Sequence, residues 1–258
     1  MSTPSSDNLY LGAGEVFINL YVNNVLSSTW RHLGNVDKVE ITPTVTTLEK
    51  KSAMNGAHGT YKEVITGTAV ELAMTLSEWA AENLALALLG SSSAYSQTLG
   101  TGTDVSLGAT NSKKGYYLDT GHKKIVVTSV KVGAVVYALH TDYEVDSETG
   151  MILIVPASTI PDLSTVLWSG TWPTIASTRI QALSNAKIEA SLRFRSATDA
   201  TGPRYFVEIW KTTLYPDGAL GLLSDSWGDI GLKGKILQDT TKPHGEQYYS
   251  LLELPALV

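Results

Sequence analysis

An alternating row of acidic residues is the stretch of this chain whose spacing comes closest to metal chemistry. The row is Asp142, Glu144, Asp146 and Glu148. Carboxylate oxygens are the ligands that Ca²⁺ prefers, but the twelve-residue calcium loop needs a glycine and a glutamate at positions where this stretch lacks them. The intervening Tyr143 and Val145 are typical of a half-buried strand. We interpret the row as a strand followed by a turn, and calcium binding stays open as the alternative.

The five histidines have no short metal-binding spacing. They are His32, His58, His122, His140 and His244. Four of them stand beside Gly, Pro or Thr, so we interpret them as surface residues, although a metal site assembled from distant parts of the chain stays open. Cysteine is absent, which excludes thiol catalysis and thiolate metal sites. No serine lies in a nucleophile elbow and no phosphate-binding loop occurs, so we predict no catalytic residues, no cofactor and no metal site.

The N-terminal third is built around two strands that flank a long polar segment. Alternation of apolar and polar residues predicts strands over 36–43 and 70–76. The intervening residues 46–60 are too polar to bury themselves and too many for a tight turn. We therefore predict an exposed loop that lies in solvent or on a partner, with Met54, His58 and Tyr61 as its large contact side chains.

A short amphipathic helix is predicted over residues 77–89. Thr75 and Glu78 have the spacing of a capping box, and Gly90 supplies a stop. An apolar stripe that includes Leu84 and Leu88 follows the helical period. The polar face carries no Lys or Arg, so the helix is expected to cover a sheet and not to lie on a membrane surface.

Charge and composition exclude several classes of protein. The chain of 258 residues has a formal net charge of −6, and residues 1–92 carry 5 basic and 9 acidic groups, which is −4 of that total. A protein that grips duplex nucleic acid needs a basic face, whereas an acidic surface lets DNA pass. No apolar run is long enough to span a bilayer, and the first eight residues resemble no targeting signal. We expect those eight to form a mobile N-terminal tail that a neighbour orders. The lack of cysteine suits a reducing cytoplasm.

Composition changes indicate a discontinuous domain. A first strand over 15–22 ends at Asn23–Asn24, a tight-turn sequence. After the helix, a Ser/Thr/Gly stretch leads into short β-signals between residues 124 and 172, and longer alternating strands return from residue 187. We predict one β domain made of residues 1–92 and 178–258, with a small all-β module of residues 93–177 inserted into it.

Three aromatic residues outside these segments also have the character of partner contacts. They are Trp30, Tyr215 and Trp227, each near a turn. Aromatic anchors on polar loops are typical of interfaces. The alternative for the two tryptophans is that they close the ends of the apolar core.

The order and local sequence of several stretches resemble the major tail tube protein of long-tailed (siphovirus-type) bacteriophages. The stretches are Gly34–Ile41, Glu49–Ser52, Gly56–Gly59, Val70–Leu76, Ser77–Gly90, Ile188–Phe194 and Tyr205–Leu214. The resemblance implies a mainly β fold: a tail-tube-type β-sandwich or barrel with one flanking helix, here with the inserted module on the tube exterior. It also implies a structural virion protein without catalytic activity.

In that family, subunits close into hexameric rings that stack into a tube. The resemblance implies that the tube surrounds a tape-measure protein, contacts tail terminator and tail-tip proteins, and conducts DNA during ejection without binding it specifically. The protein is expected in the virion tail after assembly in the host bacterial cytoplasm. The early long loop would reach the adjacent ring, with the candidates Glu49, Lys50, Lys51, Met54, His58 and Tyr61. Polar sheet faces would make an acidic bore, with the candidates Glu40, Glu71 and Glu189.

Two other classes of function remain open at this stage. A glycan-binding or adhesion module could use the exposed aromatic residues to hold sugars, and it would behave as a monomer or small oligomer. A tube protein of a secretion or contractile system would share the fold and the self-assembly. Rings that grow into filaments distinguish both tube functions from glycan binding.

Overall fold

The computed structural model describes residues 6, 9–54, 56, 58–108, 111–198 and 202–255. The chain forms two compact units, one from residues 1–93 with 180–258 and the other from residues 94–179. These divisions lie close to the boundaries expected from the sequence at 92/93 and 177/178. Strands dominate both units, so the predicted mainly β fold is confirmed.

The elements follow one another in three groups along the chain. The first group is β1 (Gly14–Val22), β2 (Val25–Leu26), β3 (Arg31–His32), β4 (Val36–Lys51), β5 (Thr60–Leu76) and the helix α1 (Ala81–Ala87). The second group is β6 (Ser91–Gln97), β7 (Gly100–Ser106), β8 (Tyr117–Asp119), β9 (Val126–Val132), β10 (Val135–Tyr137), β11 (Tyr143–Asp146), β12 (Met151–Ile154), β13 (Leu167–Trp172) and β14 (Ile175–Gln181). The third group is β15 (Ile188–Ser196), β16 (Arg204–Pro216), β17 (Ile230–Ile236) and β18 (Tyr249–Leu254).

A nine-stranded antiparallel sheet forms the discontinuous unit. Its order is β2-β1-β15-β16-β17-β5-β4, with β3 beside β1 and β18 beside β16. The predicted turn between β1 and β2 is confirmed, because Asn23 and Asn24 both adopt positive φ, 52° and 62°, as a type I′ turn requires. Asparagine tolerates this left-handed region better than other residues that have a side chain.

One face of this sheet carries the core of the unit. Alternate residues of β5, such as Leu72 and Met74, are buried, and Leu86 of α1 packs into the same cluster. Val16 of β1 and Ile41 of β4 line one cavity of about 230 Å³, although their strands lie near opposite ends of the sheet order. The sheet therefore curves until its two ends face each other across the core.

The other unit has a core of its own. A four-stranded sheet, β10-β9-β13-β7, and a three-stranded sheet, β11-β12-β8, contribute the buried side chains. Trp168 lies at the centre and is 0% exposed. Strands β6 and β14 pair with each other, and both boundaries between the units fall within these two strands.

The predicted limits of the helix are wrong. α1 covers only Ala81–Ala87, and its N-cap, Ala80, has no side-chain hydrogen bond. Thr75 belongs to β5, where it pairs with Gly231 of β17. The carboxylate of Glu78 accepts a hydrogen bond of 3.0 Å from the backbone N–H of Asn35. Thr75 is thus held by the sheet and Glu78 by the backbone that precedes β4, so neither member of the predicted capping box caps the helix.

Candidate assembly surface

The segment between the two early strands is itself β structure. Residues 44–51 of β4 pair with residues 60–69 of β5, so the predicted loop over 46–60 is wrong except for the turn between the strands. The pairing satisfies the backbone without burying side chains, because neighbouring strands hydrogen-bond directly. We call residues 44–69 the arm. Its described side chains lie outside the core of the unit.

The arm exposes apolar side chains on both of its faces. The exposed apolar residues are Val45, Leu48, Met54, Tyr61, Val64 and Ile65. Leu48 pairs with Val64, and the preceding Thr47 pairs with Ile65, so the two pairs project to opposite faces. A lone two-stranded hairpin is marginally stable in water, and no third layer among the described residues covers this one. Such a surface is typical of one that a partner covers.

Like charges lie opposite each other near the end of the arm. Glu49 pairs with Glu63, and Lys50 pairs with Lys62. Like charges in direct cross-strand register are destabilising. We call the side of the arm with Leu48, Val64, Lys50 and Lys62 its basic face, and the side with Thr47, Ile65, Glu49 and Glu63 its acidic face. Each face therefore combines an apolar patch with one cross-strand pair of like charges, the lysines on one face and the glutamates on the other.

The structure places all six predicted contact residues on the arm. Glu49, Lys50 and Lys51 are in β4, Tyr61 is in β5, and Met54 and His58 are in the turn. All six are exposed. The turn is closed by a hydrogen bond of 2.8 Å from the Ser52 N–H to the Gly59 carbonyl. His58 has φ 45°, and its Nδ1 lies 3.2 Å from the Ser52 carbonyl oxygen.

The three predicted bore residues share the non-core face of the nine-stranded sheet. Glu71 alternates with the buried Val70 and Leu72, and Glu40 pairs with the neighbouring Ala73 on the same face. Glu189 likewise lies between two core residues of β15. A sheet face that carries all three carboxylates is the arrangement on which the prediction of an acidic bore depends.

Ion pairs neutralise much of the negative charge on that face. Lys38 Nζ lies 2.9 Å from Glu40. Glu189, only 9% exposed, is 2.9 Å from Lys187 and 3.2 Å from Lys211. The hydrogen bond from Lys187, with a further one from Lys211, holds the pKa of Glu189 below its usual range. Within the single subunit, this face is mixed in charge and not uniformly acidic.

A second exposed apolar surface lies between β16 and β17. We call residues 217–229 the 217–229 loop. Trp227 is 94% exposed and Leu223 is 97% exposed, so Trp227 does not close the end of the core. Trp30 is half-buried, with the Arg193 guanidinium 4.2 Å from its ring centroid, and Tyr215 is about one-third exposed. Leu223 was missed at the sequence level, where only its position between two turn-forming segments marked it.

Two long strands of the sheet have a free edge, in addition to the two-residue strands β2 and β3, which pair only with β1 among the described residues. β4 pairs only with β5, and β18 pairs only with β16, among the described residues. Leu251 and Leu252 of β18 are exposed. An open edge that carries apolar side chains invites pairing with another chain. The long strands β4 and β18 therefore leave unpaired backbone groups at two separate places.

The acidic row of the other unit organises turns. The Asp142 carboxylate accepts hydrogen bonds from the N–H and hydroxyl of Thr159, the N–H of Ala138 and the hydroxyl of Ser158. These bonds, led by that of the Thr159 N–H, hold its pKa below the usual range. Asp146 bonds Thr149. Among the described residues, no group of acidic and histidine side chains could hold a metal ion.

Trp172 of that unit leaves little of its ring surface for a sugar to stack on. His122 stacks on Trp172 with the ring centroids 3.6 Å apart and the planes at 8°. A Cβ placed on Gly100 would lie 2.6 Å from atoms of the same indole, so the Gly100 backbone also covers that ring. Stacking on exposed aromatic faces, which the glycan-binding alternative needs, is not available at Trp172.

One cavity of the discontinuous unit lies between β1, α1 and the start of β15. It measures about 780 Å³, and its charged lining residues include Arg31 and Glu189. Arg31 donates a hydrogen bond of 2.7 Å to Asn83, and burial lowers its pKa. Arg31 and Glu189 are thus already held by neighbours.

No described helix is both long and apolar enough to cross a membrane.

Comparison with known proteins gives a family. The family model described as "Protein of unknown function UCP028589" matches residues 9–250. No curated protein matches the chain. The family match covers both structural units and reaches from the start of β1 into β18, so the chain belongs to this family.

Proposed function

We propose that this chain is a structural virion protein whose copies close into hexameric rings and stack into the tail tube of a long-tailed bacteriophage. The discontinuous unit acts as the tail-tube-type β-sandwich, and the unit of residues 94–179 lies on the tube exterior. The tube surrounds a tape-measure protein before ejection and then conducts DNA. It meets tail terminator and tail-tip proteins at its ends and assembles in the host bacterial cytoplasm.

The arm is the observation that carries this proposal. It is a paired, extended hairpin with apolar side chains on both faces and like charges in register. Burial of apolar area contributes about 25 cal/mol per Å², so covering both faces stabilises an assembly of many copies. In a monomer the same side chains gain nothing. The arm therefore supports a subunit that buries these apolar side chains only within an assembly.

The free edges support closure into rings. β4 and β18 each lack a partner on one side. When identical subunits associate head to tail, two different surfaces meet, and the rotation between copies closes a ring. Pairing an edge of one copy with a neighbour removes the edge liability of both. Ring closure thus gives hydrogen-bond partners to the edge backbone groups that, in a monomer, would promote aggregation.

The bore follows from the proposal as a separate expectation. Glu40, Glu71 and Glu189 share the non-core face, which would turn toward the lumen. Because Glu40 and Glu189 are ion-paired and Lys235 lies directly opposite Glu71, repulsion of phosphate would rest on the net charge of −6. A density map of the assembled protein that placed all three carboxylates on the tube exterior would contradict this expectation.

Negative-stain electron microscopy of the tag-free chain across a concentration series tests the proposed function. We expect rings with six-fold symmetry or hollow tubes, whose fraction rises with concentration, because association follows mass action. The chain with its arm removed serves as the control. Monomers that persist at every concentration contradict the proposal and favour a monomeric binding module.

A further inference from the structure

The 217–229 loop is held at its ends and exposed in its middle. The Asp217 N–H donates a hydrogen bond of 2.9 Å to the Gly231 carbonyl, and the Asp217 carboxylate lies 2.8 Å from Lys233. At the other end, Trp79 Nε1 donates a hydrogen bond of 2.6 Å to the Gly228 carbonyl. Leu220 packs against the core. The loop is thus fixed in place while its apolar side chains face solvent.

Its exposed side chains combine one charge sign with apolar surface. Leu222, Leu223 and Trp227 are 78%, 97% and 94% exposed, and Asp225 and Asp229 lie among and beside them. Within the described residues, no ion pair involves either aspartate. A large exposed tryptophan is typical of a binding hot spot, and the leucines beside it enlarge the exposed apolar patch.

The basic face of the arm has the complementary arrangement. Leu48 and Val64 form an apolar cross-strand pair, and Lys50 and Lys62 form the next pair on the same face. The two ammonium groups repel each other in the free arm, and a carboxylate placed against them removes that penalty. The acidic face, with Glu49 and Glu63, would instead repel the loop.

We propose that the 217–229 loop of one copy is the docking site for the basic face of the arm of a second copy. The inference rests on the proposed function, since it names the surface that receives the arm in an assembly. Leu48 and Val64 cover Leu223 and Trp227, while Lys50 and Lys62 meet Asp225 and Asp229. Residues 46–51 extend about 20 Å at roughly 3.3 Å per residue, enough for the arm to reach beyond its own subunit.

Charge reversal with rescue tests this assignment in the full chain. Lys50→Glu with Lys62→Glu, and separately Asp225→Lys with Asp229→Lys, should each raise the concentration at which half the protein sediments as tubes by about tenfold. The four substitutions together should bring that concentration back to within about threefold of the unsubstituted chain, because the attraction is restored with its sign exchanged. All four positions are exposed, and circular dichroism checks that each variant folds.

The acidic face provides the matched control. Glu49→Lys with Glu63→Lys reverses charge at the same distance along the arm but on the opposite face, and Asp225→Lys with Asp229→Lys should not rescue it. The docking assignment is overturned if Asp225→Lys with Asp229→Lys restores assembly to both arm variants alike, or to neither of them. If the unsubstituted chain forms tubes in these cases, the proposed function stands; if it never assembles, both proposals fail.

Engineered disulfides give an independent readout, since the chain has no cysteine of its own. The variant with Val64→Cys and Leu223→Cys should form a ladder of covalent multimers when assembled tubes are oxidised. The variant with Ile65→Cys and Leu223→Cys, which moves the thiol to the acidic face, should give at least about fivefold less, because a disulfide needs Cβ atoms about 4 Å apart. Equal ladders from both variants, or none from the first, contradict the proposal.

Discussion

Asn83 joins helix α1 to the segments before it through three hydrogen bonds. It is 1% exposed, donates Nδ2–H to the Leu33 and Glu78 carbonyls at 2.8 and 3.0 Å, and accepts from Arg31 at 2.7 Å. Asn83→Ala removes the hydrogen bond of the buried Leu33 carbonyl and those of the partly buried Arg31 and Glu78 groups. We expect a loss of about 2–4 kcal/mol in the free energy of unfolding, measured with urea.

Asn35→Ala is the control for that prediction, because its side chain is exposed and bonds only Asp37 at 2.9 Å. We expect it to change the free energy of unfolding by less than about 0.5 kcal/mol. Equal losses of unfolding free energy in the two variants would show that the three hydrogen bonds of Asn83 contribute no more to stability than the exposed bond of Asn35.

Asp142 should make the stability of its unit depend on pH in acid. Its pKa is lowered in the folded state by the bonds from Thr159, Ala138 and Ser158. The ionised form therefore stabilises the fold above the unfolded pKa of about 3.9, and this contribution is lost as the pH falls toward the folded pKa.

The corresponding variant is Asp142→Asn. It should be less stable than the unsubstituted chain at pH 7, and the difference should shrink as the pH is lowered from 5 to 3, as followed by thermal unfolding at each pH. A constant difference across this range would mean that the charge of Asp142 does not contribute.

The arm can be removed at a point that its own register defines. Thr44 and Ala69 are cross-strand partners, so Asn-Gly can join them as a short hairpin in place of residues 45–68. Because no arm side chain belongs to the core, we expect the free energy of unfolding to stay within about 1 kcal/mol of the full chain. Rings or tubes should disappear in negative stain. Normal tubes from the shortened chain would contradict a role of the arm in assembly.

The same hairpin shows what the sequence could and could not reveal. Alternation of large apolar and polar residues identified the ends of β4 and β5, where one face is buried. Beyond Pro43 and Val70 there is no core for the pattern to follow, so strand pairing was invisible and a loop was predicted. Its exposure and its contact residues followed from composition alone.

The predicted limits of the helix were wrong for the opposite reason, because a local pattern was present but misleading. Thr75 and Glu78 have the local spacing of a capping box, but Thr75 also fits the alternation of β5, and pairing with Gly231 prevailed. Local signals cannot rank such alternatives when distant strands decide between them. The exposure of Leu223 was equally unreadable, since a leucine in a short segment is as consistent with a core as with an interface.

At the scale of the molecule, the two cores are separate. Residues 94–179 have their own buried cluster around Trp168, Ile152 and Ile125. We expect this fragment, expressed alone, to unfold cooperatively and to give dispersed amide proton signals, because a domain with its own core can fold independently. Trp168→Ala in the fragment should cost about 3–5 kcal/mol. A fragment without dispersed signals would show that its core depends on the remaining chain.

The pairing of β6 with β14 also bears on how such a chain could change over time. The chain departs at residues 93/94 and returns at 179/180, within two strands that are hydrogen-bonded neighbours. Neighbouring strands lie about 4.8 Å apart, so a closed loop or any foreign module with adjacent termini fits the same gap. Another domain with adjacent termini could therefore replace residues 94–179. In an assembly of many copies, such a domain would be displayed at regular intervals.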